Sequence, residues 1–207
     1  MSRHYDAVFF DLLSALLDSW SLWDDLAGDS TLGRDWRMHY LKAASDTERY
    51  RPYVPLVGES AKAVGVTLSQ ADILASRWSE LKPWPEAVEI VAELASKTKI
   101  GVITNCSEEL GVEAAKKIGV TFDVVVTAER AGYYKPDRRV YETAIKEIDE
   151  APERILYVAG SPYDVRGAAA TGMPVYWHNR MGLVDLETSS KTIKSSDTLE
   201  CLRNLIV

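Results

Sequence analysis

Four polar positions in this chain fall beyond short apolar runs, and their types suggest a carboxylate-centred site with an anion pocket. Asp11 comes directly after the run "AVFF" at 7–10. Thr104, Asn105 and Ser107 end the run "IGVIT" and stand where a helix would begin, a place suited to an anion. Lys135 lies in "GYYKPDRRVY", and Asp164 lies in "AGSPYDVRGAA", where Gly160 and Ser161 open another helix. A carboxylate at the end of a buried strand is costly unless it is paired, hydrated or used. Each residue alone has an ordinary reading: a helix cap, a common turn, a surface lysine before proline. The four together, in this order around one sheet, favour a joint use.

The elements that would position them are legible as an alternation. The runs 7–10, 100–104, 122–127, 155–160 and 173–178 are short and rich in Val and Ile, which suits strands buried on both faces of a parallel sheet. Between them lie amphipathic patterns at 85–97, 107–119 and 137–149. In the first of these Val88, Val91, Ala92 and Ala95 form the expected stripe, and Gly119 is an expected stop for the second. Strand–helix alternation of this kind implies an α/β domain with right-handed crossovers.

Residues 18–82 break the pattern. They hold Trp20, Trp23, Trp36 and Trp78, helical stretches such as "GRDWRMHYLKAASDTERY", and no good strand. The economical reading is a helical cap at 18–82 inserted after the first strand, over the strand ends where open α/β sheets bind ligands. Residues 1–17 and 83–207 then form the core domain, with Pro83 and Pro85 marking the return. The stretch "ETSSKTIKSSDTLE" near the end reads as a polar tail.

Composition narrows the class. The chain has 207 residues, is 46% hydrophobic and 27% charged, and carries a formal net charge of −7. That acidity and the lack of a basic tract argue against nucleic acid and anionic membranes as partners. Two cysteines, Cys106 and Cys201, with no CxxC, exclude a disulfide scaffold and a structural zinc site and fit a reducing cytoplasm. No run approaches the roughly 18 apolar residues of a membrane span. His4, His39 and His178 are scattered and receive no catalytic role, and Cys106 reads as a small buried filler.

The order Asp11, Thr104-Asn105, Lys135, Asp164 resembles the haloacid dehalogenase (HAD) superfamily over essentially the whole chain. "YYKPDRRVYE", "SPYDVRGA" and "WHNRMG" look most like its (S)-2-haloacid dehalogenase branch. The resemblance implies a HAD-like Rossmannoid α/β core of parallel strands flanked by helices, with the helical cap after the first strand. It implies that Asp11 is the nucleophile and forms an ester, that Lys135 keeps it ionised, and that Asp164 orients Lys135 and helps deliver the hydrolytic water. Arg37, in "DWRMHYL", stands where the branch places an Arg that helps cradle the leaving halide. Asn105 and an aromatic such as Trp36 or Trp20 would complete that cradle. Thr104, Ser161 and Leu12 would contact substrate, and Tyr141 matches a site-lining Tyr. The expected partner is a small carboxylic acid, and an exposed apolar cap surface would favour a homodimer.

Phosphotransferase members of the superfamily carry a second Asp two residues after the nucleophile and an acidic residue four before the Asp164 position, which holds Mg²⁺. Those places are Leu13 and Gly160 here. Leu13 cannot act as a general acid, and Gly160 removes a carboxylate ligand of a hard cation. What survives suits attack by a carboxylate on carbon with no metal or other cofactor. Other departures touch the dehalogenase pattern itself. Ser14-Ala15 replaces the usual Gly-Thr, whose hydroxyl braces the nucleophile; Ser14 would have to brace it from a shifted position. Gly160-Ser161 replaces the usual Ser-Asn. Three readings follow: displacement of halide from a 2-haloalkanoic acid, opening of a C–N bond such as that of azetidine-2-carboxylate through the same ester, or a HAD-like binding protein without catalysis. A Mg²⁺-dependent phosphatase is a distant fourth.

Overall fold

Strand β1 (Ala7–Asp11) lies at the centre of a six-stranded sheet in which every pairing is parallel. The computed structural model describes residues 5–184 and 191–206, so His4 and positions 187–190 of the polar tail lie outside the described residues. The remaining strands are β2 (Lys99–Thr104), β3 (Val124–Thr127), β4 (Ile155–Ala159), β5 (Val175–His178) and β6 (Lys194–Ser196), in the spatial order β3-β2-β1-β4-β5-β6. β1 is flanked by β2 and β4, so the order reverses beside it, and a ligand crevice opens outside the carboxyl ends of such strands. Asp11 is the last residue of β1.

The unbroken apolar runs have a physical cause. Val8 and Phe10 pack into one core with Ile90, Val91, Val102 and Ala114, while Ala7 and Phe9 pack into a second with Ile103, Val126, Val140 and Val165. With both faces covered, the period-two signal vanishes from β1 and the run reads as continuous.

Four helices occupy the stretch between β1 and β2 before the core resumes: α1 (Trp20–Ala27), α2 (Ser30–Ser45), α3 (Tyr53–Val64) and α4 (Leu68–Ser76). Asp29 caps α2 by accepting from Leu32 N at 2.8 Å, and Thr67 with Gln70 forms a capping box on α4. Gly33 lets α2 approach α1 closely, because a Cβ there would lie 2.5 Å from Asp24 Cα. The chain leaves and returns side by side: Leu17 bridges Pro83, Asp18 N donates to Lys82 O at 2.8 Å, and Trp84 N donates to Leu16 O at 2.9 Å. Trp23, Trp36, Tyr40, Tyr53 and Trp78 belong to the same apolar cluster as Phe10, so these helices are packed onto the sheet's core.

The core helices are α5 (Ala87–Ala95), α6 (Glu108–Lys116), the single turn α7 (Ala128–Ala131), α8 (Arg138–Ile148) and α9 (Pro162–Ala169). In α5 the buried stripe is Ala87, Ile90, Val91 and Leu94, not the one expected from sequence; of that stripe only Val91 is buried, and Val88 is 43% exposed. Both stripes have helical spacing, and the larger apolar side chains Ile90 and Leu94 win the core because they bury more area. Strand β6 was not legible: its residues are Lys194, Ser195 and Ser196, at the edge of the sheet, where polar residues are normal.

Candidate active site

The turn that follows β1 sets the position of the carboxylate. Leu12–Leu16 form a five-residue π-helical turn closed by Leu17 N donating to Leu12 O at 3.0 Å. Such turns are rare and concentrate at functional sites. Asp11 caps it. Its Oδ2 accepts from Ser14 Oγ at 2.5 Å, Ser14 N at 2.8 Å and Ala15 N at 3.2 Å, while Oδ1 accepts from Lys135 Nζ at 2.7 Å. One oxygen therefore holds three donors and the other a single donor.

Lys135 lies between α7 and α8, 124 residues from Asp11 in sequence. Its backbone is fixed by Asn105, whose Oδ1 accepts from Lys135 N at 2.7 Å and whose Nδ2 donates to Lys135 O at 3.0 Å. Its ammonium reaches Asp11 Oδ1, Asp164 Oδ1 at 2.8 Å, Ile103 O at 2.9 Å and the Tyr157 hydroxyl at 3.3 Å. Asp164, in the first turn of α9, also accepts from the hydroxyls of Tyr141 and Tyr157, each at 3.3 Å. Asp11, Lys135 and Asp164 are at most 4% exposed, so this is a buried triad with two carboxylates on one cation.

Burial alone would raise the Asp11 carboxyl, but Lys135, by charge and hydrogen bond, together with Ser14, brings it below its ordinary value. Asp164 goes the other way. Burial raises it, Lys135 opposes this, and the Asp11 charge adds to the rise. Burial pulls Lys135 down, yet the two carboxylates outweigh that and hold it above its ordinary value. The two acids thus divide into an ionised group and a group that takes a proton more readily, a division suited to nucleophile and base.

Above the triad the inserted helices contribute one face of α2. Arg37, Tyr40 and Leu41, at i, i+3 and i+4, line a small cavity with Asp11, Leu13, Ser14, Asn105, Lys135, Ser161, Tyr163 and Asp164. Its volume is about 30 Å³, enough for roughly two waters at 10–15 Å³ each. Arg37 is 5% exposed, donates to the Ser19 hydroxyl and reaches Leu13 O at 3.5 Å, and its guanidinium stands 4.1 Å from the Trp20 ring centroid. Among the described residues no carboxylate lies within ion-pair distance of it. Burial lowers its pKa, and the Asp11 charge partly restores it. A buried guanidinium without a carboxylate partner, facing a cavity, has the chemistry to hold an anion. Tyr40 ties α2 to the core by donating to Asn105 O at 2.6 Å.

The structure thus brings together Asp11, Lys135, Asp164, Arg37, Asn105 and Ser161. It does not bring Thr104, Leu12, Tyr141 or Trp36 to the cavity. Thr104 is buried beside Cys106, whose thiol is pushed up to about 12 by burial and is inert filler. Leu12 is wholly buried in the apolar core. Tyr141 acts behind the site, on Asp164. Trp36 packs against Trp23 with ring centroids 4.5 Å apart and planes inclined by 59°, and donates to Val57 O at 3.0 Å, while Trp20 takes the place beside Arg37. The expected anion site at the start of α6 is already filled: Ser107 accepts from Leu110 N, and Glu129 Oε2 accepts from Glu108 N at 2.7 Å. His39 is exposed, and His178 is buried between the carbonyls of Ala15 and Asp197. Ser14 braces Asp11 from the shifted position expected of it, whereas Tyr40, Tyr157 and Tyr163 went unassigned as site residues. Tyr40 was recoverable from its spacing to Arg37, whereas Tyr157 sits in an apolar strand and carries no such signal.

A divalent cation does not fit here. The space between the two carboxylates is taken by Lys135 Nζ, and a Cβ on residue 160 would lie 2.7 Å from Ala15 N and 2.8 Å from Asp11 Oδ2, leaving no room for a ligating side chain. Among the described residues no group of three His, Cys, Asp or Glu could hold a metal, and no helix is long and apolar enough to cross a membrane.

Known proteins resemble this chain along most of its length. Haloacetate dehalogenase H-2 of Moraxella sp. (strain B) is 27% identical over 197 residues, covering 87% of this chain and 88% of that protein. (S)-2-haloacid dehalogenase H-109 of Pseudomonas putida is 26% identical over 196 residues, covering 86% and 88%. The structure of L-2-haloacid dehalogenase from Xanthobacter autotrophicus superposes with a TM-score of 0.78 over 97% of this chain and 98% of that one at 22% identity, which shows the shared fold. Residues 58–178 match the sequence profile of the haloacid dehalogenase-like hydrolases. With the parallel sheet, the strand-end carboxylate and the paired lysine in place, the chain belongs to the haloacid dehalogenase-like hydrolases.

Proposed function

We propose that the protein hydrolyses a short 2-haloalkanoic acid, with Asp11 displacing halide from the α carbon and the resulting ester hydrolysed by water to the 2-hydroxy acid. The observation that carries this reading is the buried triad Asp11–Lys135–Asp164 facing an unpaired Arg37 across a small cavity. The ammonium between the two acids keeps Asp11 ionised and under-solvated, which favours attack on carbon. In this reading Asp164, whose carboxyl is raised by burial, accepts the proton of the hydrolytic water, and its place on the cavity wall supports that role. Leu13 lines the cavity where phosphoryl transfer would need an acid. The names of the relatives above support the substrate class. In this reading residues 18–82 act as a cap that delivers Arg37, and 1–17 with 83–207 act as the core.

Chloride or bromide release from racemic 2-chloro- and 2-bromopropionate tests the proposal. Release undiminished by excess EDTA is expected. Release abolished by EDTA would overturn the reading of Leu13 and Gly160, and no release from either acid would overturn the substrate class.

Arg37 is read as the halide cradle, because its charge is buried without a carboxylate partner. Arg37→Ala should lower kcat/KM by a factor equivalent to the roughly 2–5 kcal/mol of transition-state free energy expected for loss of a buried charge contact. Unchanged kinetics would make Arg37 a packing residue beneath Trp20.

A further inference from the structure

Residues 14 and 160 come from different strand ends and compete for one space. Gly160 follows β4, and a Cβ built on it would fall onto Ser14 Oγ, as well as within 3 Å of Ala15 N and Asp11 Oδ2. Real side chains do not tolerate such separations, so a side chain at 160 and the Ser14 hydroxyl exclude each other in this arrangement. The hydroxyl is not idle there: it is the 2.5 Å donor to Asp11 Oδ2. Ser14 is itself buried and lines the cavity.

We propose that Ser14 and Gly160 form a matched pair: with no side chain at 160, the Ser14 hydroxyl fixes Asp11 Oδ2 as the oxygen that remains a carbonyl and leaves Oδ1 to attack. The inference rests on the reading of Asp11 as nucleophile. Oδ2 holds three donors and Oδ1 only Lys135, so Oδ1 retains the freer lone pair. In the first step Oδ1 bonds to the substrate α carbon while the carbon–halide bond breaks and the halide leaves with its electron pair. The Cγ–Oδ2 bond becomes the ester carbonyl, already seated among its donors. In the second step water adds to Cγ and passes a proton to Asp164, and negative charge collects on Oδ2, where the three donors stabilise it. The Cγ–Oδ1 bond then breaks, the product alkoxide takes the proton back from Asp164, and the regenerated Asp11 acid loses its proton to solvent. Ser14 is thus a positioning residue in the first step and a charge-stabilising donor in the second.

The test is a cycle of Ser14→Ala, Ser14→Gly, Gly160→Ser and Ser14→Gly with Gly160→Ser. Ser14→Ala should lose on the order of 10- to 100-fold in kcat, as for removal of one hydrogen bond to a developing charge, with little change in KM. Gly160→Ser should lower the melting temperature strongly when made alone and measurably less when combined with Ser14→Gly. The second change removes the contact with the Ser14 hydroxyl but not those with Ala15 N and Asp11 Oδ2, so a partial coupling is expected of these residues in contact. Folding of Gly160→Ser only when Ser14→Gly accompanies it would support the pair equally. Unchanged kcat in Ser14→Ala, or an equal thermal penalty at 160 with and without Ser14→Gly, would overturn it. The melting-temperature arm needs no substrate, so absence of halide release from the wild-type protein would strike the functional reading while leaving the pairing to be judged by coupling.

Discussion

Asp11→Ala should release no measurable halide, at least about 10⁴-fold below the wild-type rate, while keeping its fold. The size follows from the role: removing a nucleophile removes the covalent route itself rather than one contact in it. Survival of the fold follows from the remaining partners of Lys135. Its ammonium still has Asp164 at 2.8 Å and Ile103 O at 2.9 Å, so the substitution does not strand a buried cation. The π-helical turn loses its side-chain cap, which costs about 1 kcal/mol in ordinary helices. Circular dichroism and the melting temperature, measured beside halide release, separate loss of chemistry from loss of structure, and Asp11→Asn supplies a variant of nearly the same shape. Normal turnover by a folded Asp11→Ala protein would sink the mechanism.

A second large effect is expected at Lys135, and here stability and activity fall together. Lys135→Ala leaves Asp11 and Asp164 buried near one another with no cation between them, and breaking a buried ion pair in this way costs about 3–5 kcal/mol. The sign of the pH dependence is fixed by the same geometry. In the wild-type protein Asp11 is depressed, so its contribution is present above the unfolded carboxylate pKa and is lost as pH falls through the folded value. Without Lys135, burial and mutual repulsion raise both carboxyls. Stability is then fully present only below the unfolded carboxylate pKa and is lost as pH rises through the raised folded values. The stability deficit of Lys135→Ala should therefore be largest near pH 8 and shrink toward pH 5 in urea unfolding, with halide release down by about 10³-fold or more, since the ionised nucleophile is no longer favoured. Equal stability of variant and wild type across that pH range would contradict the triad as the source of the charge balance.

What was legible in the sequence follows from burial. β1, β2 and β4 are covered on both faces, so they appear as unbroken apolar runs, and the polar residues beyond them stand out. The polar edge strand β6 carries no such contrast. The π-helical turn of Leu12–Leu16 is defined by one hydrogen bond spanning five residues, which leaves no mark on hydropathy. Asp11 stood out as a carboxylate at the end of a buried run, Lys135 and Asp164 by their order with it beyond later runs, and Arg37 only through the resemblance to the dehalogenase branch. Trp36 was not separable from Trp20, because both are large apolar side chains of the inserted segment, one at the start of α1 and one in α2, and only packing decides which one meets Arg37. The capped start of α6 was hidden for a different reason: its partner Glu129 comes from 21 residues away. Leu13 and Gly160 were informative as absences of an acid, and the structure adds that Gly160 is also an absence of volume, filled by Ser14.

The most direct test of the central claim is the path of oxygen in a single turnover. Enzyme in excess over 2-chloropropionate is allowed to react once in H₂¹⁸O, and both the 2-hydroxy acid and the peptide containing Asp11 are weighed by mass spectrometry. Attack by Asp11 Oδ1 predicts an unlabelled product hydroxyl and one ¹⁸O in the Asp11 carboxylate. Label in the product with none in Asp11 would mean that water attacks the α carbon directly, and that Asp11 serves as a base rather than a nucleophile.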